Sequence, residues 1–162
     1  MMEPDRDNEL AILQEVAKTL TSTLDLKEVL AKIMEIIAQT FKPEDWSLLM
    51  LDEERQELYF EVSVGSAAKK LKDLRMKLGE GIAGWVAKNG QPIYTADAYQ
   101  DQRFAKWVDE QTGFRTRSVA AVPLISKGKV LGVIELLNAD SVNGNHRQTQ
   151  LLEALADFVA IA

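Results

Sequence analysis

Two apolar runs, Ser118 to Ile125 and Val130 to Asn138, are separated by nothing more than Ser126-Lys127-Gly128-Lys129. A connection this short, with Gly at a turn position, joins antiparallel neighbours, because parallel strands need a crossover of a dozen residues or more. Trp46 to Leu51 and Glu57 to Val64 repeat the arrangement around the charged turn Asp52-Glu53-Glu54-Arg55-Gln56. The second of these strands sets Leu58, Phe60, Val62 and Val64 in alternation with Tyr59, Glu61 and Ser63, the period-two pattern of a half-buried strand. The chain is thereby committed to an antiparallel sheet.

Helical periodicity flanks the strands. Asp7 or Asn8 is placed to cap a helix over 9–21, in which Leu10, Leu13, Ala17 and Leu20 form a heptad-like stripe. Thr23 or Asp25 is placed to cap a second helix that runs to Phe41, with Val29, Leu30, Ile33, Ile36 and Ile37 on its apolar face and Pro43 closing it. Residues 69–78 receive no assignment. Gly79 and Gly81 break the chain, a short helix follows over Ile82–Lys88, and Asn89-Gly90 ends it. A short strand is expected at Ile93–Thr95, and 96–117 reads as irregular apart from an amphipathic patch at Phe104, Trp107 and Val108. The last helix is predicted over 147–162. Five or six strands with long helices at both ends make an α+β fold: a central antiparallel sheet with helices packed on it and the N- and C-terminal helices together.

The terminal helices also suggest an assembly. Leu151, Leu155, Phe158 and Ala162 are spaced 4, 3 and 4, and the pattern stops without Gly, Pro or a polar cap. Residues 1–162 are therefore expected to be a single domain excised from a longer protein and ending inside its exit helix. Leu13, Leu20, Leu151, Leu155 and Phe158 are the expected contacts of a homodimer.

Composition narrows the chemistry. The 162 residues contain no cysteine and one histidine, which removes disulfides, thiolate metal sites and thiol catalysis. No metal site is expected. The net charge is −6, so nucleic acid is not an expected partner. No apolar run is long enough for a membrane helix, and the polar start is not a secretory signal; a cytoplasmic location is expected. Charge is uneven along the chain: residues 1–62 carry 6 basic and 15 acidic side chains, residues 63–130 carry 12 and 6, and residues 131–162 carry 1 and 4. The basic middle could receive a small anion, or Lys69, Lys70, Lys72, Arg75 and Lys77 could simply form a solvated face.

Catalytic signatures fail on inspection. Gly79-Glu80-Gly81-Ile82-Ala83-Gly84 has the GxGxxG spacing but lacks the buried preceding strand that a dinucleotide site needs, so turn and close-packing roles are expected for these glycines. His146 sits in a polar loop and reads as solvent-exposed rather than as a base or haem ligand, and no serine has a GxSxG context. The domain itself is expected not to be an enzyme, with no catalytic residues.

The run from Leu78 to Ile93 (LGEGIAGWVAKNGQPI), with Asp97 to Phe104 (DAYQDQRF), Thr112 to Ser118 (TGFRTRS) and Gly132 to Asn138 (GVIELLN), resembles the GAF domains of cyclic-nucleotide phosphodiesterases and bacterial signalling proteins. The resemblance spans residues 9 to 162 and implies a PAS-like fold with a ligand chamber on one face of the sheet. By position it implies Ser47, Thr95, Asp97, Arg103, Phe104, Thr112 and Glu135 as ligand-binding residues. It implies a regulatory sensor of bacterial signal transduction that binds a small anionic or nucleotide-like ligand, a cyclic nucleotide or another metabolite. The state would pass through a helical dimer to a covalently linked effector: a histidine kinase, a diguanylate cyclase, an HD-type phosphodiesterase or an activator of transcription. The alternative is a dimerisation scaffold without a ligand. Two departures bear on this. Cyclic-nucleotide-binding members carry a dispersed NKFDE motif; here Asn138 is followed by Ala139, and the run from Ser141 to Gln150 supplies neither Phe nor acid. Bilin attachment and methionine sulfoxide reduction in the family both need cysteine, which is absent.

Overall fold

The computed structural model describes residues 3–22, 25–66, 68–139, 142 and 145–161. Thr23, Ala162 and the side chains of Asp7 and Leu20, to which the sequence assigned roles, lie outside the described residues. Among the described residues, six helices and six strands follow one another: α1 (Glu3–Ser22), α2 (Leu26–Phe41), β1 (Asp45–Asp52), β2 (Glu57–Val64), α3 (Ala68–Leu71), β3 (Arg75–Lys77), α4 (Gly81–Asn89), β4 (Ile93–Thr95), α5 (Lys106–Thr112), β5 (Val119–Ser126), β6 (Lys129–Leu137) and α6 (His146–Ile161). A 3-10 turn at Ala98–Gln100 precedes α5. The strands form one antiparallel sheet in the order β3-β2-β1-β6-β5-β4. The fold is α+β, as the hairpins required.

Helices cover both faces. One face, with Leu48, Val122, Ile134 and Leu136, packs against Ile33 and Ile37 of α2, Leu152 and Leu155 of α6, and Val16 of α1. The other, with Leu49, Val119, Ala121 and Val133, packs against Ile82 and Val86 of α4 and the residues around α5. The β5–β6 turn is two residues long, Lys127 and Gly128 at φ 52° and 77°, the left-handed pair whose twist suits a hairpin.

Several expectations are corrected. Helix α1 begins at Glu3, with Asp7 and Asn8 inside it rather than ahead of it. Its inward stripe is Ile12, Leu13 and Val16, while Leu10 and Ala17 are exposed. Leu151 and Leu155 face their own sheet and are buried in the core, with Leu13 and Phe158 packed against the same cluster. Leu151 and Leu155 are thereby spent on intramolecular packing, while Leu13 and Phe158 stay half-buried. The unassigned 69–78 segment contains α3 and the edge strand β3, and the irregular segment contains α5.

Strand β2 departs from simple alternation. Leu48 of β1 opposes Val62, yet Leu49 opposes Phe60, which leaves Glu61 as an extra residue. This β-bulge shifts the phase of the strand: Leu58 and Phe60 belong to the α4 side and Val62 to the α2 side.

Candidate functional site

The cross-strand row Ser63, Ser47, Glu135, Ala121 and Ile93 runs across four antiparallel pairings. Glu135 is the charged member of this row. Its side chain opens into a chamber of about 40 Å³ between the sheet and the α3–α5 layer. Phe60 and Leu137 join it from the sheet, Met76 from β3, and Ile82 from α4; Phe104, Val108, Asp109, Thr112, Phe114 and Thr116 close it from α5 and its flanks. Burial, and then the Asp109 carboxylate, raise the pKa of Glu135 from 4.5 to about 7. Both causes disfavour negative charge on Glu135.

The wall carrying Asp109 is held by a polar network. The Tyr99 hydroxyl donates to Asp109 Oδ2 at 2.7 Å, the Thr116 amide donates to Oδ2 at 2.8 Å, and Thr116 Oγ1 donates to Oδ1 at 2.6 Å. Arg115 stacks over the Tyr99 ring at 4.0 Å, and Phe104 packs against that ring with centroids 5.0 Å apart. Asn138, at φ 59°, ties the returning chain to the end of β6. Its Oδ1 accepts from the amides of Arg117 (2.6 Å) and Ser118 (3.0 Å), and its Nδ2 donates to the Arg115 carbonyl (3.2 Å). An irregular segment whose backbone groups are satisfied in this way can be buried without a regular element.

The structure brings together three of the seven ligand-binding residues inferred from the resemblance: Phe104, Thr112 and Glu135 line the chamber. Ser47 lies beside Glu135 on the neighbouring strand and shares a hydrogen bond with Ser63 at 3.2 Å. The other three stand elsewhere. Thr95 donates to the Asp97 carbonyl, Asp97 is exposed, and Arg103 makes a two-pronged contact with Asp101 at 2.9 and 2.8 Å while lying over the Trp85 ring. Lys69, Lys70, Lys72, Arg75 and Lys77 are all exposed, and no basic side chain lines the chamber. Residues that sequence reasoning did not assign to a site, Asp109, Thr116 and Tyr99, hold its wall. Two threonines flanking Gly113 after an acidic residue were the available signal.

The glycines of 79–84 serve packing. Gly81 is at φ 70°, and a Cβ on Gly84 would stand 2.7 Å from the Lys77 carbonyl, so α4 can approach β3 only with glycine there. Among the described residues, no group of three His, Asp or Glu side chains is placed to hold a metal ion, and no helix is long and apolar enough to cross a membrane. A second, open groove of about 660 Å³ lies between α2 and the β1–β2 hairpin; Leu30, Met34, Trp46, Val62 and Val64 make it predominantly apolar.

The family model described as GAF domain matches residues 25–162. A probable 3′,5′-cyclic phosphodiesterase (pde-5) of Caenorhabditis elegans is 26% identical over 160 residues, which cover 93% of this chain and 22% of that protein. The chain thus spans about a fifth of the length of this relative. Among solved structures, the GAF domain of a phosphoenolpyruvate-protein phosphotransferase from Coxiella burnetii superposes with a TM-score of 0.83 at 22% identity, covering 95% of this chain and 91% of that one. A free methionine-R-sulfoxide reductase from Neisseria meningitidis superposes with a TM-score of 0.77 at 17% identity, covering 94% and 86%; this likeness is one of fold.

Proposed function

The chain belongs to the GAF domain family, whose members are ligand-binding regulatory and sensory modules, and from that premise we propose that it is the sensory module of a larger signal-transduction protein. Its role is regulatory rather than catalytic. A small ligand occupies the chamber beneath α5, and its presence is read by a C-terminal effector through α6. The observation that carries this reading is the chamber itself, with Phe104, Thr112 and Glu135 converging on it and a hydrogen-bonded wall around Asp109.

Two connections support transmission. Strand β6 carries Glu135 and ends at Leu137, directly before Asn138 and on the chain's way to α6. On the far edge, the Tyr94 hydroxyl of β4 donates to Glu153 of α6 at 2.9 Å; burial and the Glu153 carboxylate push the Tyr94 pKa upward, so the phenol remains the donor. A ligand shifts the position of α6 only to the extent that it binds one arrangement better than another.

The name of the relative, a probable 3′,5′-cyclic phosphodiesterase, makes cyclic nucleotides one ligand group to test, although a whole nucleotide would require α5 to move outward from a chamber of about 40 Å³. A bacterial, cytoplasmic setting is part of the same proposal. Homodimerisation, with Leu151 and Leu155 committed to the core, falls to the outer face of α1 around Leu10 (55% exposed). The small chamber favours a second reading, a scaffold that binds no ligand. Calorimetry and thermal unfolding against cyclic nucleotides and common metabolites separate the two. A ligand at 100 times its Kd adds about 2.7 kcal/mol to stability. Absence of any such gain, together with a dimer by light scattering that Leu10→Glu dissolves, would establish the scaffold reading.

A further inference from the structure

The polar atoms of the chamber are unequally spent. Thr112 Oγ1 donates to the Val108 carbonyl at 2.9 Å, and Thr116 Oγ1 donates to Asp109 at 2.6 Å. Asp109 accepts from Tyr99 and from the Thr116 amide as well. Glu135 takes no hydrogen bond from any described residue, and its carboxylate opens into the chamber. With Glu135 ionised, the lining side chains therefore offer acceptors and no free donor.

Positive charge is also missing from the chamber. Arg103 is held by Asp101, Arg115 stacks on the outer side of Tyr99, and Arg117 lies 3.6 Å from Glu44, all three exposed. The charged group that faces Glu135 is another carboxylate, Asp109. A phosphate or carboxylate entering here would meet like charge and no donor side chain, and a buried anion without partners is costly. A ligand with N–H donors and a positive charge would satisfy the unpartnered acceptor and offset the like-charge pair.

We propose that the chamber receives a small ligand through a cationic nitrogen bearing N–H donors, an ammonium or amidinium group seated on Glu135, and turns away phosphates and carboxylates. This rests on the reading of the chamber as a ligand site and assigns the chemical class that the site takes. A volume of about 40 Å³ admits a headgroup of a few heavy atoms, since one water needs roughly 10–15 Å³ by this measure. Protonation of Glu135 competes with such a ligand. With the Glu135 pKa at about 7, affinity rises as pH increases through 7 and levels off above it, with binding roughly 100-fold weaker at pH 5 than at pH 8.

Acetamidinium and acetate make a matched test, because they share size and planar shape but differ in charge and in hydrogen-bond polarity. Each is titrated into the full chain, as is inorganic phosphate, and amide chemical shifts are followed by 15N–1H NMR. Acetamidinium should move the Glu135, Leu137 and Thr116 signals saturably, while acetate and phosphate leave them in place. Glu135→Gln should weaken acetamidinium at least tenfold with the rest of the spectrum unchanged. Should that variant lose its fold, the pH dependence of the unaltered chain decides instead: equal acetamidinium affinity at pH 5 and pH 8 overturns the proposal. A chamber response to acetate or phosphate without one to acetamidinium also overturns it, but leaves the ligand site standing. Silence toward acetamidinium overturns the proposal as well, and silence toward all three probes and toward the metabolite screen removes the site itself.

Discussion

Ile134 and Glu135 are adjacent in β6 and face opposite worlds. Ile134 is fully buried between α2 and α6, in a layer whose buried sheet and helix residues are apolar. Glu135 faces a layer of short helices and turns, where a titratable side chain borders free volume. The long helices cover most of their face with continuous amphipathic stripes and leave open only the apolar groove beside α2 and β2. The α3–α5 layer cannot do this, and its backbone is tied down by Asp109 and Asn138 instead. One face resists change and the other is built to admit it, although both use the same strands.

The largest test of this contrast is Leu155→Ala. Leu155 is fully buried on the helix face, and the cavity should cost about 2–5 kcal/mol, seen in urea unfolding as a loss shared by the whole domain. Asn138→Ala strikes the other face. It leaves the Arg117 and Ser118 amides without their acceptor and should cost about 2–3 kcal/mol. Hydrogen exchange at 115–118 should then quicken well before global unfolding; uniform quickening would erase the distinction between the faces.

Glu135→Gln acts through protons. The folded-state pKa of Glu135, about 7, lies above its ordinary 4.5, so between these values the folded state holds a proton that the unfolded state has released. Stability conferred by this site is thus present below pH 4.5 and declines as pH rises toward 7. The glutamine variant, with no such dependence, should exceed the parent by on the order of 2 kcal/mol at pH 8 and converge with it near pH 4; parallel profiles of melting temperature against pH would refute the assignment. The smallest effect belongs to Arg103→Ala. Its guanidinium is partly exposed while the Asp101 carboxylate it pairs with is largely covered, so the two-pronged pair should contribute about 1 kcal/mol, with the chamber signals unmoved.

The legible parts of the sequence were those whose partners lie nearby in the chain. The β5–β6 hairpin follows from a short loop, α2 from its apolar spacing, and the end of α4 from Asn89-Gly90, where Gly90 is at φ 66° and its amide donates to the Val86 carbonyl. Helix α1 misled because Leu13 belongs both to the stripe with Leu10 and to the one with Val16, and only the position of the sheet chooses between them. The site was harder for the same reason. Phe104, Thr112 and Glu135 were placed by resemblance, whereas the role of Asp109 depends on a turn that brings Thr116 back to it and on Tyr99 reaching across. Arg103 could serve a ligand or pair with a nearby carboxylate, and Asp101, two residues away, holds it.

The bulge in β2 has a consequence for how this chain tolerates change in length. Removing one residue from a strand ordinarily flips every side chain beyond it to the wrong face. Here Glu61 stands outside the pairing, with Phe60 and Val62 already opposite consecutive residues of β1. A deletion of Glu61 would bring these two into direct succession with each still on its present face. The strand beside the chamber carries one residue to spare.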